Sequence, residues 1–233
     1  MPGINIQAEA KALASSLSDT LNKTVCNGVK LKAVVRPAVT PGAKAGMNIG
    51  YQISAQDQDL QTGIPLTIGT RQAKLYLGFF MHLEVDDTND YMMVKQSMTM
   101  LALDADLSKE LLHYDYERDK DKERGYPEAH LQICASSEHW DVVSAMLGDR
   151  PLSKLHLPVG PVGGRRFRPS VEDVIELLIV EGLVEARQGW QEALNATRRP
   201  FQELQLRAAV RKYPGLAAEA LKNLGWSVNA PSE

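Results

Sequence analysis

Near the start of the chain the apolar positions recur every three or four residues: Ile6, Ala10, Leu13, Ala14, Leu17 and Leu21. Lys11, Ser15, Ser16, Ser18 and Asp19 fill the places between them. That spacing puts one apolar stripe on a helix. Asn27-Gly28 then supplies residues that tolerate a left-handed helix end. The polar side carries too few Lys and Arg for an anionic lipid surface, so the stripe is expected to pack on protein.

From Val29 to Ala135 the period drops to two. Val29, Leu31, Ala33 and Val35 alternate with Lys30, Lys32 and Val34, and Pro37 and Pro41-Gly42 end the run. Met47, Ile49, Tyr51 and Ile53 form a second alternating run, followed by a polar connection, 56–63. Residues 74–85 are apolar on both faces, as in a central strand, and the turn Asp86–Asp90 leads into the long stretch 91–103. Leu111, His113, Tyr114 and Tyr116 mark another strand, the charged loop 118–125 follows, and residues 129–135 complete the series. No crossover helix separates these runs, so about six strands spanning 29–135 are expected to form an antiparallel meander.

Helical spacing then returns. Ser137 caps a short helix carrying Trp140, Val143, Ala145 and Leu147, closed by Gly148. Leu155–Pro158 is a short extended piece, and Pro161–Pro169 an irregular loop. Ser170 and Asp173 stand at capping-box spacing before Val174, Ile175, Leu177, Leu178 and Leu183. Residues 188–213 predict a longer helix kinked at Pro200, which lacks a backbone donor, and 214–225 a last short one. The fold class is α+β: an N-terminal helix, the antiparallel meander and a helical C-terminal part. A division into 1–150 and 151–233 falls where Pro and Gly cluster, with both parts on one core.

Composition adds exclusions. The 233 residues carry 26 Lys and Arg against 29 Asp and Glu, a formal charge of −3, so nucleic-acid binding would need a local patch. Cys26 and Cys134 are too few for a disulfide framework, form no Cys-x-x-Cys pair and read as free thiols in the cytoplasm. No secretory leader or membrane span is expected, because no apolar run reaches the ~18–20 residues a spanning helix requires. No phosphate loop, nucleophile elbow or His-Glu-x-x-His motif occurs, and no motif calls for a cofactor.

Three groups of residues carry candidate chemistry. Arg165, Arg166 and Arg168 precede the helix opened by Ser170, where free amides and guanidiniums suit a phosphate, although Glu172 and Asp173 compete for that positive end. His113, His130 and His156 are candidate general acids and bases for a metal-independent ribonuclease, with Glu117, Arg118 and Tyr116 nearby in sequence. Alternation sets His113 and Asp115 on one strand face and Tyr114, Tyr116 and Arg118 on the other. No ligand pair stands at a fixed metal spacing, so no metal is expected. Arg198, Arg199, Arg207 and Arg211 give the late helix a basic side for a partner, with Glu203 placed to pair with Arg207.

His113-Tyr-Asp-Tyr116, Pro127-Glu-Ala-His130, Leu155-His156 and the helix opening at Pro169-Ser-Val-Glu-Asp-Val174 together resemble TumE-type toxins of bacterial toxin–antitoxin pairs over residues 113–181. The resemblance implies a prokaryotic conflict or phage-related setting, an RNA or DNA target, and an antitoxin or other protein partner. Two function classes follow. One is a nucleic-acid-directed effector using the histidines and arginines just named. The other is a non-enzymatic interaction factor acting through a sheet edge or the C-terminal helices.

Overall fold

Asn5 opens the first helix by accepting the Ala8 amide on its Oδ1 at 3.1 Å, and α1 runs Ile6–Thr24. The computed structural model describes residues 3–38, 45–69, 71–118, 129–133, 138–146, 148 and 170–229. Ala10, Ala14, Leu17 and Leu21 of α1 are buried, the stripe expected from their spacing. The helix ends at a dense set of polar ties. Ser18 Oγ accepts the Leu31 amide at 2.9 Å, and the Asn22 side chain makes two bonds with the Val29 backbone, at 2.7 and 2.8 Å. Arg187 donates from Nε to the Asn22 carbonyl and from Nη2 to the Cys26 carbonyl, occupying acceptors a helix end leaves open. Gly28 takes φ +63°, the left-handed turn that sends the chain into the sheet.

The sheet has seven strands: β1 Leu31–Arg36, β2 Gly46–Tyr51, β3 Ile64–Pro65, β4 Tyr76–Val85, β5 Met92–Ala102, β6 Glu110–Glu117 and β7 Ala129–Ile133. Six follow one another as β1-β2-β4-β5-β6-β7, every pair antiparallel, as a meander should. β3 is the addition the alternation did not foresee. It continues the β2 side of β4 through Ile64↔Leu77 and Pro65↔Tyr76, and two residues are too short to show a period. Its proline is tolerated because so short a piece needs few amide donors.

Register sorts the sheet into two faces. Leu31, Met47, Ile49, Leu77, Phe79, Met81, Leu83, Leu101 and Leu112 share one face and one buried cluster with α1. The second face carries Lys32, Asn48, Phe80, His82, Gln96, Met98, Met100, His113, Asp115 and His130, all of opposite parity in the ladder. A bulge interrupts the β5–β6 pairing: Leu101 pairs Leu112 and Ala102 pairs Glu110, leaving Leu111 extra. The extra residue returns Glu110 to the face of His113, which an unbroken strand would deny it.

The remaining helices are α2 His139–Met146, α3 Val171–Val180, α4 Trp190–Lys212 and α5 Pro214–Asn223. Ser170 and Asp173 make the reciprocal capping box, the Ser170 amide donating to Asp173 Oδ2 at 2.7 Å. Val171, Val174, Ile175 and Leu178 of α3 and Leu194 of α4 join the same buried cluster as α1 and the sheet. The longer helix expected over 188–213 is α4, and its helical span includes Pro200. The carbonyl that a proline at position 200 leaves without its helical donor belongs to Ala196, an exposed residue that water can reach.

Arg198, expected on a basic side for a partner, is engaged within the fold. Its guanidinium reaches Asp173 Oδ1 at 3.1 Å and Glu176 Oε2 at 2.5 Å, clamping α4 onto α3 with all three side chains mostly covered. Arg199 pairs with Glu203 at 3.3 Å across open solvent. Arg198→Ala should therefore lower unfolding free energy by about 2 kcal/mol, since charged hydrogen bonds contribute most when covered. Arg199→Ala should change it by less than about 0.5 kcal/mol. Urea melts of the two variants check the contrast, and equal midpoints would refute the clamp.

Candidate functional site

On the second face the β6–β7 ladder sets Asp115 directly opposite His130, and His113 opposite Gln132. Asp115 Oδ2 lies 3.4 Å from His113 Nε2 and 4.0 Å from His130 Nε2. One ligand atom from each of the three residues lies within 4.8 Å of the others. The two imidazoles stand edge to face with centroids 6.4 Å apart. His113 Nδ1 is held by Glu110 Oε1 at 2.5 Å. All three side chains are largely covered yet keep between 12% and 25% of their surface, so the cluster is reachable from solvent.

This geometry redirects the sequence expectation. Both ring nitrogens of His113 face carboxylates, so the ring is not poised as an uncommitted base for a substrate hydroxyl. Two imidazole nitrogens and one carboxylate oxygen within 4.8 Å of one another supply the donor types of a catalytic zinc or a related divalent ion. In a tetrahedral zinc site such donors stand about 3.3 Å apart, given metal–ligand bonds near 2.0–2.1 Å. The 3.4 Å pair already fits, the 4.0 Å pair needs a small inward shift, and the two imidazole nitrogens, within 4.8 Å of each other, must close on the ion as it binds. Glu110 stands where an orienting carboxylate fixes a ligating imidazole by its other nitrogen. No spacing along the chain announces this set, because His130 joins it through cross-strand register. The signal for Glu110 is the doubled Leu111-Leu112, which breaks the period of two.

The other candidates separate. Tyr116 is buried on the helix-covered face, and Arg118 donates from Nε to the Val94 carbonyl while its guanidinium lies 5.9 Å from the Tyr116 ring centre. Neither approaches the histidines' face. Glu117, exposed, pairs in register with Gln96 on the histidine face. His156, Arg165, Arg166, Arg168 and Cys134 lie outside the described residues. Cys26 is a buried free thiol whose pKa burial pushes up to about 12, with Arg187 opposing the shift. Glu203 is taken by Arg199, not by Arg207, which is exposed, and Arg211 lies 4.1 Å over the Tyr91 ring. Leu204, Val210, Leu216, Leu221, Leu224 and Trp226 are exposed along α4, α5 and the segment that follows. No helix among the described residues is long and apolar enough to cross a membrane.

A second polar group, missed in the sequence, sits on the same face. His82 is buried; its Nδ1 lies 2.8 Å from Asn48 Oδ1 and its Nε2 lies 3.1 Å from Glu84 Oε1. Asn48 donates to Gln58 Oε1 at 2.8 Å, and Gln58 donates to the Val35 carbonyl at 3.0 Å. The chain of bonds fastens the segment after β2 over the sheet. Gly46 makes room for it: a Cβ there would lie 2.6 Å from His82 Cε1. Beside this network opens a cleft of about 390 Å³ lined by Arg36, Asn48, Asp59, Phe80, Gln96 and Met98, among others.

The chain matches no family model, no curated protein and no solved structure.

Burial lowers the His82 pKa from its ordinary 6.5, and the hydrogen bond to Glu84 opposes this only in part. The unfolded chain then binds more protons than the native one below about pH 6.5, so stability should fall as pH drops through that range. His82→Gln should flatten the slope between pH 6.5 and 5 in urea melts. An unchanged slope would assign the acid sensitivity elsewhere.

Proposed function

We propose that the protein is a nucleic-acid-directed hydrolase that holds a divalent transition-metal ion between His113, Asp115 and His130. The observation that carries this reading is the approach of two imidazole nitrogens to one carboxylate oxygen, with Glu110 fixing the His113 ring from behind. Asp115 and Glu110 also make a bare phosphate unwelcome at this spot, whereas a bound cation would reverse the sign of the site.

The chemistry is hydrolysis of a phosphodiester. Held by His113, Asp115 and His130, such an ion would supply Lewis acidity toward a phosphoryl oxygen and a water of lowered pKa. The water oxygen forms the new bond to phosphorus, the bond to the leaving oxygen breaks, and the water proton ends on that oxygen. Nucleic acid is favoured as substrate by the resemblance of residues 113–181 to TumE-type toxins, which implies a prokaryotic conflict setting. This reading replaces free imidazole acid–base catalysis with metal-assisted attack, because carboxylates flank both ring nitrogens of His113.

One observation favours an interaction factor as a second reading. No residue of α5 is buried, and Leu216, Leu221, Leu224 and Trp226 offer an apolar surface to a partner protein. Removing residues 214–229 would separate the readings, since it leaves the metal set intact and deletes that surface.

Protein dialysed against chelator should bind one Zn²⁺ per chain by calorimetry and cleave labelled single-stranded RNA only after Zn²⁺ or Mn²⁺ is restored. His130→Ala and Asp115→Asn should lose cleavage by at least about 100-fold, and Glu110→Gln should weaken metal affinity by about 10–100-fold. Cleavage that persists in chelator, or an Asp115→Asn variant as active as the wild type, would overturn the reading.

A further inference from the structure

We infer that the cleft beside Phe80 is a nucleobase subsite serving the His113–Asp115–His130 centre, an assignment that rests on the hydrolase reading only for its connection to that centre. The two features belong to one row of the sheet. Lys32 pairs Gly50, Gly50 pairs Phe80, Phe80 pairs Met98, Met98 pairs Asp115 and Asp115 pairs His130. Antiparallel neighbours stand ~4.7–4.9 Å apart, so Phe80 lies about 10 Å from Asp115 across a single intervening strand. In the next row Gln96 of the cleft pairs Glu117, which flanks Asp115 on β6. No element boundary intervenes between cleft and centre along these rows.

The lining is that of a site for a flat, polar ring. Phe80 is half-buried, its ring fixed in the sheet yet accessible in the cleft, and every base offers a π-face to such a platform. Met98 and Leu60 add apolar walls. Gln96 is exposed, and neither its amide nor the Asp59 carboxylate makes a side-chain hydrogen bond among the described residues. An amide and a carboxylate accept from a base edge that carries N–H donors, which guanine, adenine and cytosine present and an unmodified uracil presents least. Arg36 adds a guanidinium to the cleft wall for a phosphate or base acceptor. Asn48 and Gln58 are already bonded to His82 and the Val35 backbone, so they shape the floor and leave recognition to Gln96 and Asp59. At about 390 Å³ the cleft falls within the range of small-ligand sites. A strand of RNA or DNA laid along the row, with one base on Phe80, brings a neighbouring phosphate toward Asp115.

The test measures binding of the four 5′-nucleoside monophosphates by NMR titration of the full chain in excess chelator, so that no metal contributes. GMP should bind saturably and UMP most weakly, with shifts centred on residues 36, 58–60, 80 and 96–98. Phe80→Ala should weaken GMP binding by about 5- to 100-fold, the range for loss of one stacked base. Gln96→Ala, at an exposed position with no folding role, should reduce the preference for GMP over UMP. No saturable binding of any nucleotide, or wild-type affinity in both Phe80→Ala and Gln96→Ala, would overturn the subsite. The hydrolase reading fails separately: an RNA-cleaving activity indifferent to Asp115→Asn, with nucleotide binding still lost in Phe80→Ala, leaves the subsite standing alone.

Discussion

Everything chemical in this molecule depends on the antiparallel register of its meander. A strand alternates its side chains with a period of exactly two, so a slip of one residue would exchange the two faces throughout. The helix-covered face cannot tolerate that exchange, because Met47, Ile49, Leu77, Phe79 and Leu83 would be traded for Asn48, His82 and Gln96. Apolar burial of order 1.5–3 kcal/mol per large side chain locks the register on one side of the sheet. The same lock fixes, on the other side, which polar residues become neighbours. Asp115 meets His130 because Leu112 and Tyr114 must meet the face that α1 covers.

Two local devices refine that global constraint. The bulge at Leu111 turns Glu110 toward His113, and the cluster thereby gains a carboxylate behind one imidazole. The bonds from Arg187, Ser18 and Asn22 gather the end of α1, the start of β1 and the approach to α4 into one knot. That knot, with the Arg198 clamp between α3 and α4, ties the helices together behind the sheet. The second face then carries His113, Asp115 and His130 half-buried, where substrate can reach them.

Much of the fold was legible in the chain because burial writes itself into periodicity. The stripe of α1, the alternation of β1 and β2, the apolar β4 and the Ser170–Asp173 cap all follow from spacing. Less of the site was legible. His113 and Asp115 share a strand and so visibly share a face, and Tyr116 and Arg118 visibly do not. His130 could be assigned to the pair only once the β6–β7 register was known, because a charged stretch of sequence separates those strands. His82 was hidden inside an apolar run, where its role depends on Asn48 from another strand.

The account stands on His113 and His130 acting as two ligands of one ion. The direct measurement is a long-range ¹H–¹⁵N NMR spectrum of the histidine rings during Zn²⁺ titration. Nε2 of His113 and of His130 should shift together and saturate at one equivalent, while the Nδ1 resonance of His113 keeps its proton toward Glu110. His82 should not respond. Independent titration of the two rings, or no shift in either at one equivalent, would contradict the proposed centre.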